Sequence, residues 1–511
     1  MSYEVPSRLR FLTIALCLPS ALLAGSLAGQ QQSSQAAGSG VASGPAYKLE
    51  IGKTISREMH GGESYEYQFL LAAGKYARIE IDQKSIDIAF AAIAPDGHQI
   101  FEGNLTYPGE LEKASVISET AGTYRIRVWP IDNTAAGKYE ITLTEIQDAD
   151  EARKHRTAAE HAMAEGLALY YRQTAEGKRG AIAKYTQALE HWRAARDPQG
   201  ESFALSTMSS FYSDLGEKQK ALDLANQGLT LARANSDQAE EGWALEALGA
   251  IHENFGERKP AIEAMEQALP LLRATHHKHG ETQVLNGLGM SLFALGQREE
   301  AVKYFQQAAD LCHQMGNLGG EASLLNNIAF YYSDRGEHGK ALELQNKALA
   351  IRRRTNDRSS QGVILSNMGA SYANISEYQK AMDAWTEALN IARELGLEQD
   401  EALRLNNLAW LYSTVGDDEN AIRYYLQSVA IFRRIQDNWR LAQALTNLGS
   451  SYAGIQDYAR ALELYDEALS LHRKGDNKSG VGNTLNNAAF AYNKLGEREK
   501  ALQYYREAEG I

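Results

Sequence analysis

The pattern of apolar and polar positions changes once along the chain. Between Tyr47 and Ile146 its period is two. The segments YEYQFLL (65–71), YARIEID (76–82), IDIAFAAIA (86–94), TYRIRVW (123–129) and YEITLTEI (139–146) alternate or run as β-rich stretches. Turn signals AAGK, PDG, TAG and AAGK separate them. About seven or eight short strands in such a length predict an antiparallel β-sandwich. Further on the period is helical, and the pattern breaks at turns of the type Leu-Gly-Glu, first at 215–217.

The helical part repeats itself every forty residues. Ala stands at 181, 221, 261, 301, 341, 381, 421, 461 and 501. Seven residues later the side chain is again small, from Ala188 and Gly228 to Ala508. Twelve before each Ala, from the second repeat on, lies another small residue: Ser209, Gly249, Gly289, Ala329, Gly369, Ala409, Gly449 and Ala489. Tyr follows three positions later in most repeats, as at Tyr212, Tyr372 and Tyr452. Small residues let antiparallel helices approach closely, and the Tyr and Leu positions fill the gaps between repeats. Gly216, Gly256, Gly296, Gly336, Gly416 and Gly496 suit the left-handed position that ends a helix. Asp197, Asp237, Asp357 and Asp437, with Asn317 and Asn477, are placed to cap the next one. Arg193, Arg233, Arg273, Arg353, Arg393, Arg433 and Arg473 close the second helix of each pair, where the helix dipole favours a cation. The same column can also be read as a binding stripe.

This arrangement of small residues, Tyr and paired Ala resembles the tetratricopeptide pattern over residues 162–511. At forty residues instead of thirty-four, the repeats are similar to those of kinesin light chain and the LGN-type polarity adaptors. The resemblance implies eight full repeats, from 162–201 to 442–481, and a ninth, 482–511, cut short. It further implies a right-handed superhelical solenoid with a concave groove. Asn327, Asn367, Asn407, Asn447 and Asn487 stand one residue before the Leu-small pair of the first helix, where Asn is a poor helix former. In tetratricopeptide proteins this position lines the groove, so the resemblance implies a ladder of amides gripping an extended peptide backbone. The alternative is that these amides bond the neighbouring repeat and fix the superhelix. Phe330, Trp410 and Phe490 share one position in alternate repeats and could anchor apolar side chains of a partner or pack on the adjoining helix. No Lys or Arg occupies the inner column Phe203, Trp243, Gln283, Ser323, Val363, Leu403, Gln443 and Asn483. The carboxylate clamp of chaperone-binding tetratricopeptide domains is therefore not expected.

The segment SREMHGGESYEYQFLLAAGKYARIEIDQKSIDIAFAAIAPDGHQIFE resembles the pre-peptidase-like β-sandwich of exported bacterial proteins, which implies an accessory or binding module at 47–146. Residues 147–161 are then a linker or helix start. Together with forty-residue repeats, this sandwich is similar to the front of bacterial proteins that end in a caspase-like (CHAT-type) peptidase.

Arg8 and Arg10 precede the apolar run FLTIALCLPSALLAG, and small residues follow at 26–28. This predicts a secretory signal peptide at 1–28 and an exported protein, periplasmic or extracellular. Residues 29–46, rich in Gln, Ser, Gly and Ala, read as a flexible linker. The formal charge of −13 argues against nucleic acid as a partner. After signal removal one cysteine, Cys312, is left, read as a small core residue. No metal or cofactor is expected. His276, His277 and His279 lack carboxylate or Cys partners and read as solvated loop residues, and Asp82, Asp87 and Asp96 read as turn and strand-end residues. No G-x-S-x-G, phosphate loop or H-E-x-x-H is present. The expectation is an exported, non-catalytic scaffold that binds a peptide or protein partner in its groove. The alternatives are the regulatory front of a CHAT-type peptidase and a cell-surface ligand binder acting through the sandwich.

Overall fold

The computed structural model describes residues 45–103, 111–131, 136–172 and 174–511. The expected signal peptide, and the expected linker up to residue 44, lie outside the described residues. Among the described residues nine strands come first: β1 (Tyr47–Lys48), β2 (Thr54–His60), β3 (Tyr65–Leu71), β4 (Lys75–Asp82), β5 (Ile88–Ile93), β6 (Gln99–Gly103), β7 (Leu111–Ile117), β8 (Gly122–Pro130) and β9 (Ala136–Asp148). They form a five-stranded sheet, β1-β3-β8-β5-β6, and a four-stranded sheet, β2-β9-β4-β7. All pairings between named strands are antiparallel except the short β1–β3 contact.

The period-two pattern explains the core of this sandwich. Ala77, Ile79 and Ile81 of β4 share it with Phe90, Val116, Ile126, Val128 and Ile141, all buried. Tyr67 and Tyr139, one from each sheet, join hydroxyls across the core, so neither buried phenol lacks a partner.

Among the described residues eighteen helices follow. They are α1 (Glu151–Tyr170), α2 (Ala175–Ala195), α3 (Pro198–Asp214), α4 (Lys218–Ala234), α5 (Gln238–Asn254), α6 (Arg258–Ala274), α7 (Lys278–Ala294), α8 (Arg298–Gln314) and α9 (Leu318–Asp334), then α10 (His338–Arg354), α11 (Arg358–Asn374), α12 (Tyr378–Glu394), α13 (Glu398–Thr414), α14 (Asp418–Arg434), α15 (Asn438–Gly454), α16 (Tyr458–Lys474), α17 (Lys478–Lys494) and α18 (Arg498–Glu509). The β-sandwich is thus followed by a tetratricopeptide-like helical solenoid. Helix α1 begins at Glu151, inside the stretch 147–161 read as linker or helix start.

Contacts divide the described chain into two compact units. One runs to Tyr331 and includes Ala350–Asp357; the other comprises Tyr332–Leu349 and Arg358–Ile511. The same local chemistry recurs in both. The Ala column is shut off from solvent, with Ala221, Ala261, Ala381, Ala421 and Ala461 at 0% exposure. Gly216, Gly256, Gly296, Gly336, Gly416 and Gly496 take φ between 77° and 88°, as the turn requires. Asp197, Asp237, Asp437, Asn317 and Asn477 accept backbone N–H groups at the starts of α3, α5, α15, α9 and α17. Asp357 pairs with Arg352 at 3.0 Å, both side chains being buried.

Candidate functional site

The five Asn residues sit on the first helix of successive pairs and divide by what they touch. In the amino-terminal unit, Asn327 is 7% exposed and its Nδ2 donates to Asn286 Oδ1 of the preceding repeat at 3.4 Å. In the other unit, Asn487 Nδ2 donates to Ser450 Oγ, again one repeat back, at 3.2 Å. These two do what the neighbour-bonding alternative describes. Asn367, Asn407 and Asn447 are half-buried on α11, α13 and α15. Asn407 and Asn447 have no side-chain hydrogen-bond partner among the described residues, which leaves each amide a donor and an acceptor to offer. Asn367 is engaged within the fold.

The aromatic positions also differ. Phe330 lies 5.4 Å from Phe293, and Trp410 meets Trp385 edge-on at 6.3 Å, so packing holds both. Phe490 is 46% exposed, with the Lys494 ammonium 5.3 Å from its ring.

A second constellation, on α3, α5 and α7 of the amino-terminal unit, is one that repeat spacing did not reveal. Phe203 and Trp243 stack with ring centroids 6.2 Å apart, and Trp243 lies 5.7 Å from His277 and 6.2 Å from His279. His279 is only 6% exposed, which corrects its reading as a solvated loop residue: it is in the first turn of α7, against the indole. Of the four Glu on α5, three are raised well above the usual carboxylate range. Burial, reinforced by Asp237, pushes Glu240 up to about 8, while His277 and Lys113 oppose the shift. Burial and repulsion by Glu253 push Glu246 up to about 7, and burial against the pull of Arg258 does the same for Glu253. Glu246 and Glu253, seven residues apart, share a face of α5, but the burial of these carboxyls depends on packing that spacing does not encode.

The Arg column is engaged. Arg193, Arg233, Arg273 and Arg393 each donate Nε to the Glu eight residues on, Glu201, Glu241, Glu281 and Glu401, at 2.7–2.8 Å. Arg433 and Arg473 reach Glu467 and Glu507, thirty-four residues on. These six Arg therefore stitch their helix pairs to the next in addition to facing the dipole.

Among the described residues no group of three His, Cys, Asp or Glu could hold a metal ion. Asp96 pairs with His98 in its turn, and Asp82 with Lys84. Cys312 is fully buried, and burial pushes its thiol up to about 12, far from a reactive thiolate. Among the described residues no helix is long and apolar enough to cross a membrane.

Comparison with known proteins agrees with this geometry. Residues 281–354, 360–434 and 440–511 match the tetratricopeptide repeat family model, and 182–246 and 241–299 match that of anaphase-promoting complex subunit 5. Residues 281–511 thus carry tetratricopeptide repeats. No curated protein matches the chain. Among solved structures it is similar to a Signal Transduction ATPase with Numerous Domains (STAND) protein with a tetratricopeptide repeat sensor from Pyrococcus horikoshii, with 16% identity and a TM-score of 0.55 over 69% of this chain and 53% of that one. The chain thus spans about half the length of that protein. It is also similar to the apo form of the quorum sensor NprR from B. thuringiensis, with 14% identity and a TM-score of 0.52 over 71% of this chain and 99% of that one. At these identities the likeness is one of fold.

Proposed function

We propose that the protein is a non-catalytic tetratricopeptide scaffold that holds an extended peptide or protein segment on the face formed by α11, α13 and α15. One observation carries this reading: Asn407 and Asn447 present half-exposed amides without partners at the same position of consecutive repeats. Forty residues of solenoid separate them, so they meet a partner at two points along its length. An amide that offers both donor and acceptor suits main chain, which presents both at every residue. The exposed ring of Phe490 adds an apolar anchor on α17. The charged leader 1–28 supports export to the periplasm or beyond, where the partner would be met.

The test is capture of partners from the source cells on the full chain and on the Asn407→Ala/Asn447→Ala variant, followed by affinity measurement for what is captured. A loss of affinity of about tenfold or more at unchanged melting temperature is expected. Unchanged affinity would place the partner elsewhere. Intact mass of the native product checks export: a value a few kilodaltons under 56.3 kDa fits a cleaved leader.

A further inference from the structure

Among the described residues of the amino-terminal unit, the sandwich touches the solenoid at places four repeats apart, two of which are described by close contacts. The first is α1. Arg78 of β4 donates to Glu160 at 3.2 Å, with only 16% and 8% of the two side chains exposed. The same guanidinium reaches Tyr76 Oη and Ser115 Oγ, both at 3.2 Å. His161 stacks on Phe101 of β6 with centroids 4.0 Å apart. Arg153 pairs with Glu145 of β9 at 3.1 Å. Helix α1 therefore lies against β4, β6, β7 and β9.

The second place is the turn between α8 and α9. Ser85, after β4, is fixed by β9: its N–H donates to Lys138 O, and its Oγ accepts from Lys138 N–H at 2.9 Å. Its carbonyl oxygen faces Gly316 so closely that a Cβ added there would lie 2.6 Å from it. The turn itself does not demand glycine. At the equivalent position of other repeats Arg196, Ser236, His276, Asn356, Gln436 and Asp476 all adopt positive φ, between 50° and 58°. Glycine at 316 is required by what presses on it. Next to it Met315 is 1% exposed, while Asn235, Leu395 and Gly475 at the same place in other repeats are exposed. Between the two contacts, Lys113 of β7 is near enough to Glu240 for its charge to act on that carboxyl.

We propose that the β-sandwich is a seated lid on the amino-terminal repeats, clamped at Arg78–Glu160 and at Ser85–Gly316. While it is seated, the α6–α7 and α8–α9 turns are held closed, and they open to solvent only when the lid lifts. This goes beyond the peptide-holding face on α11, α13 and α15 and does not depend on it.

The test uses the full chain and hydrogen–deuterium exchange over 276–282 and 311–320. Gly316→Asn places in this turn the residue that the next repeat already carries there as Asn356, and drives it against Ser85. Gly396→Asn makes the same change where nothing lies within 4 Å of the added atom. The expected result is about tenfold faster exchange in both segments for Gly316→Asn and no change for Gly396→Asn. No change for Gly316→Asn, or an equal loosening of 276–282 and 311–320 by Gly396→Asn, overturns the lid. A second series guards against a folding defect. Arg78→Glu and Glu160→Arg should each speed exchange in the same segments, and the double reversal should restore it. A double variant as loose as the singles also overturns the proposal.

Discussion

Gly369 of α11 lies directly under the indole of Trp385 of α12: an added Cβ would stand 2.5 Å from Trp385 Nε1, which donates to Ser366 O at 2.9 Å. The small-residue column exists to admit this kind of ring. Gly289 meets Phe305, and Gly449 meets Tyr465, in the same way. Gly369→Ala removes a helix-weakening glycine, worth roughly 1 kcal/mol in favour. It must also displace a buried indole, which costs about 1–3 kcal/mol. A net fall in thermal stability is expected, and Gly369→Val should fall further. Melting of the full chain by circular dichroism checks both. A stabilised Gly369→Ala would mean that the indole moves aside freely.

The amide column should split in the same way as its contacts. Asn327→Ala and Asn487→Ala each lose a bond to the preceding repeat and should cost about 1 kcal/mol. Asn407→Ala and Asn447→Ala lose no bond within the chain and gain helix propensity, so their stability should hold or rise by a few tenths of a kcal/mol. Urea unfolding of the four variants side by side would show the division. Four equal losses would make the whole column a superhelix-fixing device.

Glu240 gives the amino-terminal unit a pH dependence whose sign can be stated. Its carboxyl is raised from the ordinary 4.5 to about 8, first by burial and then by Asp237, so the folded chain binds a proton more tightly than the unfolded one. The stabilising effect of that proton is fully present below 4.5 and lost as pH rises towards 8. Glu246 and Glu253, raised to about 7, act in the same direction. Glu240→Gln should therefore melt higher than the parent at pH 8.5 and near it at pH 5. Parallel melting curves for the two proteins at both pH values would mean that the carboxylate is well solvated in the fold.

Arg352 is 4% exposed and donates to Asp357 Oδ2 at 3.0 Å, Gly319 O at 2.7 Å and Ser323 Oγ at 2.6 Å. Removing one partner of such a pair strands the other charge, so Arg352→Met should cost about 3–5 kcal/mol. Arg352→Met/Asp357→Asn should recover a large part of that. A single variant within 1 kcal/mol of the parent would show that Asp357 finds water instead.

What the sequence made legible was whatever a fixed spacing encodes. The Gly column, the Asp and Asn caps and the buried Ala column were readable because helix geometry returns them every forty residues. The partners of the Arg column were less visible, since Arg193 and Glu201 face each other across a turn and Arg433 and Glu467 across thirty-four residues. His279 was misread because neighbouring His in a turn suggest solvent, whereas Trp243 of the previous repeat covers it. Nothing in the repeat pattern could bring Ser85 to Gly316, because one belongs to a strand-to-strand connection and the other to a helical turn. Whether an Asn faces a partner or a neighbour was likewise undecidable from spacing, which is the same for Asn327 and Asn447.

The Arg-to-Glu stitches have a consequence for how such a chain can change length. Excising residues 234–273 would place Glu281 eight positions after Arg233, and the stitch would close as before. By nearest-neighbour contacts alone, one copy of the repeat is as good as another. Ser85 against Gly316 is different, since it spans a fixed number of copies from α1 onwards. In an otherwise interchangeable array it acts as a gauge, tolerant of duplication beyond it and sensitive to any insertion or loss before it.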